Sequence, residues 1–210
     1  MKPASLFRAL SFGVGCVWLA AMAGRGAQDR SRRTTHWPSG AHIAVWIDTN
    51  HAPPDAAALV ERALEVWTAA AGERLRLTRT PARTDGSIRV FFVQSDTNYG
   101  ETAPHVDPRT GLITSADVAI NSDVPADSLD AHIVVYLTAL HELGHALGLP
   151  HSDTFSAIMY RFRRADDGER YFGAYRRRLR SAQDIGSPRA TGLADEDVEV
   201  LRRLYVTSQP

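Results

Sequence analysis

The chain has 210 residues, 44% apolar and 23% charged, with a formal net charge of zero. That is an ordinary globular composition, enough for one domain with a real core. It carries no strong field of either sign that would point to nucleic acid or a membrane surface.

The N-terminus reads as a targeting segment over residues 1–23. Lys2 and Arg8 form a positive region, residues 9–20 an apolar run, and Ala21-Met22-Ala23 a small-x-small cleavage site. The run is shorter than the ~18–20 residues that span a bilayer. The expectation is export to a secreted or extracytoplasmic (periplasmic or extracellular) location, with no stable membrane insertion after cleavage. Removing this signal peptide takes away Lys2, the sole lysine, and Arg8 but no acid, leaving a net charge of −2. The one cysteine, Cys16, lies inside the segment. Lipidation at Cys16 is a weaker reading, because Gly13-Val14-Gly15 is a poor lead-in and the apolar run continues past it. The mature chain is expected to hold no disulfide.

Residues 24–41 look like a polar N-terminal arm, and 42–210 like the folded domain. Ile43, Val45 and Ile47 alternate with Ala44 and Trp46, predicting a strand buried on both faces. Pro53-Pro54-Asp55 opens a helix whose stripe is Leu59, Ala63, Val66, Trp67 and Ala70, closed by Gly72. Leu75 and Leu77 mark a second strand. The run 88–93 is apolar on both faces apart from Arg89 and predicts a central strand. Two turn signals follow, at Asn98-Tyr99-Gly100 and at 107–111. The alternation over 113–121 predicts an antiparallel edge strand, to which an extended peptide could add. Asp127 is the expected N-cap of the next helix, with Asp130 in its first turn. His132 lies nine residues before His141, so it faces the opposite side of the helix.

That helix carries the chemistry, in the stretch His141-Glu142-Leu143-Gly144-His145-Ala146-Leu147-Gly148-Leu149-Pro150-His151. Histidines four apart share one helix face about a turn apart, so their ring nitrogens can share one metal ion. Glu142 is rotated by about 100° and lies beside the metal rather than on it. Gly148 can end the helix in the left-handed conformation, and His151 then returns as a third nitrogen ligand. Three protein ligands leave one tetrahedral position open, the mark of a catalytic zinc. Glu142 would deprotonate the zinc-bound water as it attacks a peptide carbonyl, then pass the proton to the leaving amine.

This stretch resembles the metzincin zinc endopeptidases, whose motif runs H-E-x-x-H-x-x-G-x-x-H before a methionine turn. The turn here would be Ser156-Ala157-Ile158-Met159-Tyr160, and its sequence and spacing are similar to the matrixin (matrix metalloprotease-like) branch. His151-Ser152 and the closing segment 193–205 are similar too. The resemblance implies an α+β zincin-like fold. Its parts are a twisted mixed sheet, two long helices, a zinc cleft, and a small C-terminal subdomain ending in a helix. It implies one catalytic Zn2+, Met159 as a packing floor beneath the imidazoles, and Tyr160 beside the substrate pocket. It implies a protein or peptide substrate, and no nucleic acid. Matrixins often hold a structural zinc as well, but His105 and Asp107 are its only candidates here and are too few. Ca2+ through Asp117, Asn121 or Asp123 is possible. The family's inhibitory propeptide cysteine has no counterpart in the mature chain, so latency by that route is not expected.

Residues 161–190 hold nine arginines and four acids and are longer than the corresponding matrixin stretch. They read either as a solvated insertion or as a wall of the pocket for the residue after the cleaved bond. A functional reading from another class is a zinc-stabilised binding module without catalysis. Intact Glu142 argues against it, because a structural site needs no general base.

Overall fold

The computed structural model describes residues 35–124 and 128–206. The targeting segment, most of the arm and Asp127 lie outside the described residues. The elements run β1 (Ala41–Ile47), α1 (Ala56–Ala71), β2 (Leu75–Thr80), β3 (Ile88–Val93), β4 (Gly100–Val106), β5 (Ile113–Asn121), α2 (Leu129–Ala146), α3 (Asp167–Arg176) and α4 (Asp195–Leu204). The strands form one mixed sheet in the order β2-β1-β3-β5-β4. All neighbours are parallel except β4 with β5. This is the expected α+β zincin-like architecture, with β3 central.

The core lies between the sheet and the two long helices. Ile43, Val45, Val90 and Val118 from the strands meet Leu64, Trp67, Leu137 and Leu140 from α1 and α2 in one buried cluster. Polar groups in this layer are paired: the Trp67 indole donates to the Leu140 carbonyl at 2.8 Å. Burying each such aliphatic side chain stabilises by about 1.5–3 kcal/mol. Nearly continuous apolar sequence in α2 is thereby explained, since most of its surface is enclosed.

Four expectations need correction. The strand over 113–121 is not the edge: β5 sits between β3 and β4, and β4 is the edge strand. The sequence hid β4 because an edge strand exposed along most of its length needs no apolar face, and it carries Gly100 and Pro104. Nor are β1 and β3 buried on both faces. Their second face presents Trp46, Arg89 and Phe91 only half-buried, with the Arg83 guanidinium over the Trp46 and Phe91 rings at 5.7 and 5.9 Å. The N-cap of α2 is Ser128, whose hydroxyl accepts from the Ala131 amide at 3.0 Å. Finally, the last residues of the arm belong to the fold. Trp37 is buried, its indole donates to the Ala146 carbonyl at 2.8 Å, and the Ile113 amide donates to the His36 carbonyl at 2.9 Å.

Candidate metal centre and active site

Helix α2 ends at the site. Gly148 follows it with φ +93°, and a Cβ there would lie 2.1 Å from the Thr35 carbonyl oxygen. Only a residue without a side chain makes that turn. The turn returns His151 to His141 and His145. One ligand atom from each of the three lies within 4.8 Å of the others, and among the described residues no other group of three or more potential ligands converges in this way.

Two main-chain carbonyls orient the donors. His141 Nδ1 is 2.6 Å from the Ile158 carbonyl oxygen, and His145 Nδ1 is 2.9 Å from that of Leu149. A carbonyl only accepts, so each Nδ1 carries the proton and each Nε2 keeps a lone pair. His145 Nε2 and His151 Nε2 stand 3.2 Å apart. A tetrahedral zinc with arms of about 2.05 Å separates its ligands by about 3.3 Å. Burial pulls His141 and His151 down to about 4, assisted by the neighbouring imidazoles, and burial also lowers His145. Neutral rings with inward lone pairs are the donor set that zinc requires, and the site fits that ion.

Glu142 is 6% exposed and lines the same cleft of about 530 Å3. Burial raises its carboxyl to about 7, against a lowering hydrogen bond from Thr102. The Thr102 hydroxyl is 2.8 Å from Glu142 Oε2.

The segment beneath the histidines is held from α4. Asp197, 2% exposed, accepts from the amides of Ile158 at 2.8 Å, Met159 at 3.3 Å and Ala194 at 2.8 Å. Ser152 donates from its amide to the Met159 carbonyl at 2.7 Å and from its hydroxyl to Glu196 at 2.6 Å. Met159 packs against Gly144, where a Cβ would sit 2.4 Å from its sulfur. That accounts for the glycine between the histidines. Tyr160 lines the cleft, and its hydroxyl donates to buried Asp167 at 3.1 Å. Burial works to raise the Asp167 carboxyl. The Arg163 and Arg164 amides, Tyr160 and Arg170 outweigh it and hold the group below its usual value.

Residues 161–190 have two faces. Phe172, Tyr175, Leu179 and Ile185 are buried against the domain, while most of the arginines are exposed. Phe162, Tyr171 and Phe172 form an edge-to-face cluster on the cleft wall with Tyr99. The other sequence candidates lie elsewhere. His105 meets Asp117 at 3.1 Å, and Asp117 is also gripped by Arg89 at 2.7 Å. Asp107 caps its own turn through the Arg109 amide. The Asn121 carboxamide bonds Ser95 and the Asp123 amide. His132 points toward Asp55, away from the histidine cluster. Sequence reasoning missed Thr102, Tyr99 and Gly100, whose only signal was a turn-like Asn98-Tyr99-Gly100.

A family model described as Matrixin matches residues 37–172. Neutrophil collagenase from Homo sapiens is 31% identical over 124 residues, covering 53% of this chain and 25% of that protein. A hatching enzyme from Paracentrotus lividus is 32% identical over 108 residues, covering 48% of this chain and 18% of that protein. The chain therefore spans about a quarter or less of the length of these relatives. The matched region contains the sheet, α2, all three histidines, the methionine turn and every residue that lines the cleft. By this match and by the fold that carries it, the chain belongs to the matrixin family.

Proposed function

We propose that this chain is a zinc-dependent endopeptidase in which His141, His145 and His151 hold the ion and Glu142 is the general base. The observation that carries the reading is three converging imidazoles beside one buried carboxylate in an open cleft. A zinc ion held by these three imidazoles would supply a water acidified to a pKa near 7 and Lewis acidity at the scissile carbonyl. Glu142 accepts the water's proton as the oxygen attacks, then delivers it to the departing amine nitrogen, so the proton count closes.

The substrate is an extended protein or peptide segment added to the outer edge of β4. The Asn121 amide donates to the Tyr99 carbonyl at 2.8 Å. In an antiparallel pair alternate residues face the partner, so Gly100, Thr102 and Pro104 turn their main-chain groups outward. Gly100 and Thr102 offer N–H donors there, and Pro104 offers none. Tyr160 and the aromatic cluster wall the pocket for the side chain after the cleaved bond. Met159 is the polarisable floor under the ligands. Residues 1–23 act as a cleaved export signal, and residues 42–210 form the catalytic domain. None of the described helices is long and apolar enough to cross a membrane.

A chelator decides between this enzyme and a zinc-stabilised binding module. The enzyme cleaves casein, stops when stripped of metal and recovers on addition of zinc. A metal-replete preparation that leaves casein and a broad peptide library intact would favour the binder.

A further inference from the structure

We infer that Thr102 is a positioning residue whose hydroxyl holds the Glu142 carboxylate in place for proton transfer. The inference rests on the reading of Glu142 as the base. Thr102 Oγ1 lies 2.8 Å from Glu142 Oε2 and 2.9 Å from the Glu142 main-chain oxygen. A hydroxyl has one proton to give. The main-chain oxygen sits within α2, where a helix carbonyl takes the amide four residues on. The carboxylate is the stronger acceptor, so it receives the hydroxyl proton.

Gly100 stands two residues earlier on the same face of β4. A Cβ at Gly100 would lie 2.7 Å from Glu142 Cγ and 2.8 Å from Thr138 Cγ2. The edge strand therefore presses bare backbone against the glutamate stem and offers a hydroxyl to its head. One carboxylate oxygen is held by Thr102, and the other is left to take the proton. A β-branched threonine also suits a strand for its shape alone. The hydroxyl and the shape are separable, because valine keeps the shape and serine keeps the hydroxyl.

The experiment compares Thr102→Val and Thr102→Ser with the wild type, each zinc-loaded, on one peptide substrate. Misplacement of a proton-transfer group predicts a kcat roughly ten- to a hundred-fold lower in Thr102→Val. KM and zinc content should hold, and Thr102→Ser should recover most of kcat. Crystal structures of the metal-free variants give a second readout. The Glu142 carboxylate should leave its position in Thr102→Val and keep it in Thr102→Ser. Wild-type kcat in Thr102→Val, equal losses in both variants, or an unmoved carboxylate in Thr102→Val would each overturn the inference. A wild type that cleaves nothing would instead overturn the endopeptidase reading, and the crystal readout would still decide whether Thr102 holds the carboxylate.

Discussion

At the scale of single residues the site is set by what carbonyls accept and what glycines leave empty. The Ile158 and Leu149 carbonyls fix the His141 and His145 tautomers, so two of the three proposed ligands are already aimed by the fold itself. Gly144 lets the Met159 sulfur lie directly under the helix. Gly144→Ala should raise helix propensity by about 1 kcal/mol, but overpacking costs about 1–3 kcal/mol. A Cβ there would also stand 3.1 Å from the Trp67 ring, whose indole is tied to Leu140. The expected outcome is a net loss of stability in urea unfolding together with weaker zinc binding by competition with a chelator. Stability equal to or above wild type would show that the methionine floor has room to move. The three histidines and Glu142 were legible in the sequence because helix periodicity and one glycine turn bring them together over a short stretch, whereas Met159 came only from the resemblance to the matrixins. Thr102 was not legible, because its partner is 40 residues away and only the packing of α2 against β4 brings them together.

At the scale of elements, two pieces frame the cleft. Strand β4 provides the rim, and the first turn of α4 anchors the floor. In the sequence, α4 shows itself by acids at Asp195, Glu196 and Asp197 and by an apolar face of Val198, Leu201, Leu204 and Tyr205. The sequence did not announce that one of those acids, Asp197, is buried beneath the methionine turn and caps three amides. Strand β4 was illegible for a different reason: glycine, proline and exposed polar residues are the marks of turns as well as of a protected edge. Asp197→Asn keeps the volume but replaces one acceptor oxygen with a donor facing an amide. Leaving a buried amide unmatched costs about 1–3 kcal/mol. The midpoint of thermal unfolding should fall by several degrees, and zinc should bind less tightly. An unchanged midpoint would mean that the turn is held by its other contacts, through Ser152.

At the scale of the whole molecule, both ends of the described chain converge on the C-terminal end of α2. Trp37 donates to the Ala146 carbonyl, and the Tyr205 hydroxyl donates to the Leu147 carbonyl at 2.7 Å. These are carbonyls that a helix end leaves without intrahelical partners. The Tyr205 ring also meets His36 edge-on at 5.6 Å. Helix α2 is thus clamped by residues 168 positions apart in sequence, which local periodicity could not reveal. The fold class was indicated by the family resemblance that the zinc motif carries. The clamp and the rim had to come from the fold itself.

The most direct test of the central claim pairs zinc content with cleavage in Glu142→Ala. The variant keeps the three histidines and should hold one zinc per chain. It should hydrolyse a peptide substrate at a rate lower by at least about two orders of magnitude, the lower end of what general base catalysis contributes. A zinc-loaded Glu142→Ala protein that cleaves as fast as the wild type would contradict the account.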